Sequence, residues 1–123
     1  MKLDFDLARG ILLLMESKPA NAHPYSVNVD GYDQDTVFEH LELLDEAGFI
    51  EANFVNSSTA PGRIYNVFVK RMTWKGHEFL DNARNDTVWS EAKSVVREKG
   101  GSFSLDLFSA VLAQVALKVL GLG

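Results

Sequence analysis

The sequence predicts an α+β fold, and three observations carry that prediction. Apolar residues recur with helical period over residues 4–17 and 33–47. Two runs of β-forming residues are separated by the turn-rich connector SSTAPG, and further helical stretches follow Met72. Helix, strand, helix and β-hairpin in that order, with a helical C-terminal extension, is the layout of a winged helix-turn-helix-like domain. The hairpin is then the wing, and the helix before it stands where a recognition helix stands.

From Asp4 to Ser17, Leu7, Ala8, Ile11, Leu12, Leu14 and Met15 follow the i, i+3, i+4, i+7 spacing of a helix with a wide apolar face. Pro19 and Pro24 turn the chain, and YSVNV at 25–29 alternates as a short strand does. Residues 33–47 form the second helix, with Asp33 or Asp35 as N-cap, Val37, Leu41, Leu44 and Phe38 as buried stripe, and Gly48 as stop. Phe49 to Asn56 and Arg63 to Met72 pair as the hairpin. Thr73 caps a helix running to about Arg84, Asp86 caps another to Lys99, and Gly100-Gly101-Ser102 separates that from a last helix. Only about fifteen residues separate the first two helices, which leaves little room for the positioning helix usual in this fold.

At 123 residues and 46% hydrophobic content the chain suits a single domain spanning 1–123. Residues 1–72 form the winged-helix-like part, and the helices of 73–123 pack on it. The absence of cysteine excludes disulfides, thiolate metal sites and cysteine nucleophiles. The start MKLDFDLARG lacks the pattern of a secretory signal, and Asp106, Gln114 and Lys118 interrupt the apolar C-terminal run, which is too short to span a bilayer. A cytoplasmic protein without a membrane anchor is expected. The net charge of −5 is uneven: residues 1–62 hold 3 Lys/Arg against 11 Asp/Glu, whereas residues 63–123 hold 9 against 6.

Four segments carry a closer resemblance: DLARGILLLMES, VDGYDQDTVFEHLELLDEAGFI, RMTWKGHEFLDNARNDTVWSEAK and KGGSFSLDLF. Together they resemble the bacterial and prophage family called domain of unknown function 2513, most specifically in TWKGHEFLDNARNDTVW. The resemblance covers nearly the whole chain. It implies a compact winged-helix-like fold, frequent residence in phage-derived genes, and no known activity.

If the second helix entered a DNA groove, the side chains opposite its buried stripe would face the DNA. At helical spacing these are Asp35, Glu39, Glu42 and Glu46, all acidic and repelled by phosphate. This face is therefore a candidate protein-binding surface. The basic residues Arg63, Lys70, Arg71 and Lys75 lie in and after the hairpin and are the candidate phosphate contacts in a DNA-binding alternative. In the last helix Leu105, Phe108, Leu112, Val115, Val119 and Leu122 recur at three- and four-residue steps, a candidate seam for docking or for a homodimer. Leu107, Val111 and Leu120 add a second apolar strip.

No cofactor is expected. His77-Glu78 opens a zinc-protease-like pattern, but Asp81 stands where the second histidine is needed. His23 and His40 read as unrelated surface or semi-buried residues, and Trp74, Phe79 and Trp89 as core. No arrangement of reactive groups for an enzyme is visible. The residues thus point first to a non-enzymatic regulatory or adaptor module acting by protein contact, and second to a dimeric DNA-binding regulator using the wing.

Overall fold

A computed structural model describes residues 3–19, 21–22, 24–100 and 103–121. Among these, α1 (Phe5–Ser17), α2 (Gln34–Glu46), β1 (Ile50–Asn56), β2 (Ile64–Met72), α3 (Trp74–Ala83), α4 (Asp86–Glu98) and α5 (Leu105–Val119) follow in chain order. The α+β class stands as expected, with a two-stranded antiparallel hairpin. The chain forms two compact units, Met1–Gly76 and His77–Gly123.

In the first unit, α1 begins where the Asp4 side chain accepts the N–H of Leu7 at 3.0 Å, satisfying one of the donors a helix start leaves open. Leu7, Ala8, Ile11, Leu12 and Met15 are buried along one face. Asp33 caps α2 in the same way, and Val37, Phe38, Leu41 and Leu44 form its buried stripe. The helix ends in a Schellman arrangement. Gly48 takes φ +83°, its N–H donates to the Asp45 carbonyl at 3.0 Å, and Phe49 N–H donates to the Leu44 carbonyl at 2.9 Å.

β1 and β2 pair from Ile50↔Met72 to Asn56↔Ile64, with register shifts at Glu51/Ala52 and Val55/Asn56. At the tip, Ser57 N–H donates to the Arg63 carbonyl at 2.8 Å and Arg63 N–H to the Ala60 carbonyl at 3.0 Å. The strand expected over 25–29 shrinks to one bridge, Tyr25↔Val69. Pro24 has no N–H to extend it backwards, and a turn in which Tyr32 N–H bonds the Val29 carbonyl at 3.3 Å redirects the chain into α2. No helix lies between α1 and α2 among the described residues.

The segment Thr73-Trp74-Lys75-Gly76 clasps the base of the hairpin. Thr73 Oγ1 accepts the Gly76 N–H at 3.1 Å and donates to the Gly48 carbonyl, while Thr73 N–H donates to the Phe49 carbonyl at 2.9 Å. Lys75 Nζ donates to the Ala47 carbonyl at 2.9 Å, a cation at the negative end of α2, and lies over the Phe49 ring. Gly76 must be glycine for reasons of space, since a Cβ there would come within 2.2 Å of the Phe49 carbonyl oxygen. Trp74 corrects an expectation: it is 79% exposed, because the first position of α3 points it away from the core.

In the second unit, Phe79, Trp89 and Phe108 form an aromatic cluster, with Trp89 edge-on to both rings at centroid distances of 6.3 and 5.2 Å. The cap of α4 is Asn85, which accepts the Val88 N–H; Asp86 is the first helical residue instead. Gly100, at φ +105°, follows this helix as the expected stop, and Gly101 lies outside the described residues. Ser104 caps α5, whose buried residues are Leu105, Phe108, Leu112, Val115 and Ala116. Each large side chain fully buried in this way contributes about 1.5 to 3 kcal/mol.

Candidate functional site

The buried stripe of α2 fixes which side chains point outward. With Val37, Leu41 and Leu44 inside, Asp35, Glu39, Glu42 and Glu46 are all exposed. At three- and four-residue spacing they form one acidic strip along the helix. Two hydrogen bonds from Thr36, backbone first and hydroxyl second, hold the Asp33 carboxyl below its ordinary range, so the capping charge is retained at the head of the strip.

The hairpin tip stands over this strip. Pro61, Gly62, Arg63 and Ile64 on one side, and Asp35, Phe38, Glu39 and Glu42 on the other, enclose a cleft of about 390 Å³. Its carboxylates come from α2, while Phe38, Pro61 and Ile64 supply apolar surface. Arg63 reaches across the mouth to Asp35 at 3.4 Å, an exposed ion pair. Such a pair contributes at most about 1 kcal/mol. Sequence reasoning found the acidic strip but not its opposite wall, because residues 61–64 meet 35–42 only through the long-range path of the hairpin.

The expected phosphate contacts are dispersed and mostly engaged. Besides Arg63, Arg71 makes a two-pronged pair with Glu51 across the strands at 2.9 and 3.0 Å, which lowers the Glu51 carboxyl and raises the arginine. Lys75 is held on the end of α2. Lys70 is exposed on β2.

His40 lies deeper than the surface or semi-buried place expected for it. It is 1% exposed and lies within the apolar stripe of α2. Its Nε2 accepts the Asp4 N–H at 2.9 Å and its Nδ1 faces the Thr36 carbonyl at 2.9 Å, so Nδ1 carries the donating proton. The imidazole thereby joins the start of α1 to α2. His77 and Asp81 are exposed, and Asp81 accepts from Arg84 at 2.9 Å. His23 lies outside the described residues. Among the described residues no cluster of three metal-ligating side chains occurs, and no helix is long and apolar enough to cross a membrane.

In α5 the seam divides. Leu105, Phe108, Leu112 and Val115 are buried in their own unit, where α5 packs on α4. Val119 is 37% exposed, in the last turn of the helix, and Leu122 lies outside the described residues.

These features define an α+β protein with an acidic cleft between a helix and a hairpin. The chain belongs to the DUF2513 family of hypothetical proteins, whose model matches residues 2–102. It is 36% identical over 121 residues to an uncharacterized protein of Haemophilus influenzae, covering 98% of this chain and 99% of that protein. No solved structure matches it.

Proposed function

We propose that this chain is a non-enzymatic, winged-helix-like module that acts through protein–protein contact, using the cleft between α2 and the hairpin tip to hold a basic segment of its partner. The order α1, bridge, α2, hairpin supports the winged-helix reading, with no positioning helix between α1 and α2 among the described residues. One observation carries the choice of partner: the helix face that would read a DNA groove is lined by exposed carboxylates, while three of the four cations in and after the hairpin, Arg63, Arg71 and Lys75, are bound within the unit. A positively charged side chain entering the cleft would meet Asp35, Glu39 and Glu42 and would take the place of Arg63.

The test compares the wild-type chain with a Glu39→Lys/Glu42→Lys variant, each immobilised and exposed to host lysate at moderate salt, with recovered proteins and nucleic acids identified. A basic protein retained by wild type and lost from the variant is expected. The DNA-binding alternative draws on the exposed Lys70 and the projecting hairpin. It predicts a gel shift of random duplex DNA at sub-micromolar protein in ~50 mM salt, whereas the protein-binding reading predicts weaker association than that.

A further inference from the structure

The charges that line the cleft do not balance. Asp35, Glu39 and Glu42 face it from α2, and among the described residues Arg63 is the single cation in its lining. Glu39 and Glu42 make no side-chain hydrogen bond or ion pair with any described residue. Only Asp35 is answered, by one guanidinium nitrogen of Arg63 at 3.4 Å. Arg71, on the same hairpin, closes both prongs of its fork on Glu51 at 2.9 and 3.0 Å, whereas Arg63 joins Asp35 through one prong. The backbone of Arg63 is fixed all the same: its N–H donates to the Ala60 carbonyl at 3.0 Å and its carbonyl accepts the Ser57 N–H at 2.8 Å. The hairpin thus carries a cation to the acidic strip of α2 and holds it there by a single exposed contact.

We propose, on the reading of this cleft as the seat of a basic partner segment, that Arg63 is a built-in competitor for it. Its guanidinium stands where a cation of that segment binds, so an incoming basic side chain must displace it or settle against it. Displacement breaks the pair with Asp35. Settling on Glu39 instead leaves like charges close together, since Glu39 follows Asp35 by only ~6 Å along the helix, within the Debye length of about 8 Å at physiological salt. By either route Arg63 opposes the cation, and the cleft binds below the strength its carboxylates allow. On a nucleic acid the same residue acts with the opposite sign, because a phosphate is attracted to a guanidinium. Removing the Arg63 charge therefore strengthens a basic occupant and weakens an anionic one.

The test uses the whole chain and a dye-labelled octapeptide of alternating arginine and glycine, followed by fluorescence anisotropy in ~50 mM salt, where exposed charges are weakly screened. Arg63→Gln, which keeps a polar side chain and removes the charge, is expected to bind the peptide about two- to fivefold more tightly than wild type, the range that an exposed ion pair allows. Arg63→Lys, which keeps the charge, should stay near wild type. Raising the salt to ~500 mM should shrink the gain, since Arg63 and Asp35 are both exposed. Lys70→Gln removes an equal charge from an exposed position on β2 outside the cleft lining and should bind as wild type does. An Arg63→Gln protein that binds no more tightly than wild type would overturn the competitor and leave the reading of the cleft in place. So would an equal gain from Lys70→Gln, which would trace the effect to net charge. Peptide binding absent from wild type and Arg63→Gln alike, or unchanged by Glu39→Gln with Glu42→Gln, would overturn the reading of the cleft and the competitor with it.

Discussion

Helices α2 and α5 bury the same kind of stripe and differ in what they turn outward. On α2 the inner residues Val37, Leu41 and Leu44 are matched by an outer strip of carboxylates; on α5 the inner residues Leu105, Phe108 and Leu112 are matched by exposed leucines and alanines. Burial explains both inner faces with one physical rule, the removal of apolar area from water. It explains neither outer face. An outer strip can vary widely at little cost in stability, so its composition is not set by the folding of its own unit.

The largest effect tests the inner face of α5. Leu112→Asp with Val115→Asp puts two unpartnered charges into the interior of the second unit, and a loss of more than about 4 kcal/mol is expected, read by denaturant unfolding and by the fluorescence of Trp89. A stable double variant would show that this seam is not core. On α2 the corresponding test is His40→Ala, which strands the Asp4 N–H and Thr36 carbonyl. It should cost about 2 to 3 kcal/mol, and His40→Gln, which can still accept from Asp4, should cost less.

A smaller effect separates the two helices by acid. Asp33 caps α2 and its folded pKa is lowered by bonds from Thr36, whereas the cap of α5 is Ser104, which does not titrate in this range. A lowered folded pKa contributes stability that is present above the ordinary carboxylate range and lost as pH falls through the folded value. Exchange protection of the Thr36 amide should therefore fall between about pH 6 and about pH 2 while that of Leu107 changes less, within the range where carboxyls titrate. Glu51, lowered by Arg71, should titrate in the same sense. Equal loss at both helix starts would remove the distinction. Smallest of all, Glu39→Lys with Glu42→Lys should leave the melting curve within about 0.5 kcal/mol of wild type, since both side chains are exposed. A large loss would mean that the acidic strip serves the fold.

Periodicity alone placed the inner faces, because a helix of 3.6 residues per turn leaves few choices once apolar positions recur over several turns. Gly48 and Thr73 were readable as stop and cap for equally local reasons. His40 reads as surface or semi-buried although its spacing from Val37 and Leu44 puts it on the buried stripe; its polarity hides the full burial, which the Asp4 N–H, 36 residues away, and the Thr36 carbonyl make possible. Trp74 misled in the opposite direction, since hydrophobicity argued for burial while its place at the start of α3 turned it outward. Of the cleft only the acidic wall and Arg63 were readable, and not their meeting. Its two walls come from segments that meet only after the hairpin has formed, and no local pattern encodes that meeting.

The clasp at the base of the hairpin has a consequence for how this protein can diversify. Gly48, Phe49, Thr73, Lys75 and Gly76 lock the two ends of the hairpin together, so the tip from Ser57 to Gly62 hangs from a base that does not depend on it. Lengthening a surface loop costs little chain entropy, roughly 0.6 kcal/mol for each doubling. The Pro61-Gly62 part of the hairpin wall can therefore be exchanged, shortened or extended while Arg63, Ile64, the acidic wall and the scaffold stay fixed. Grafting a foreign tip between Asn56 and Arg63 is expected to leave the melting temperature almost where it was and, where the cleft holds a partner as proposed, to alter what is bound.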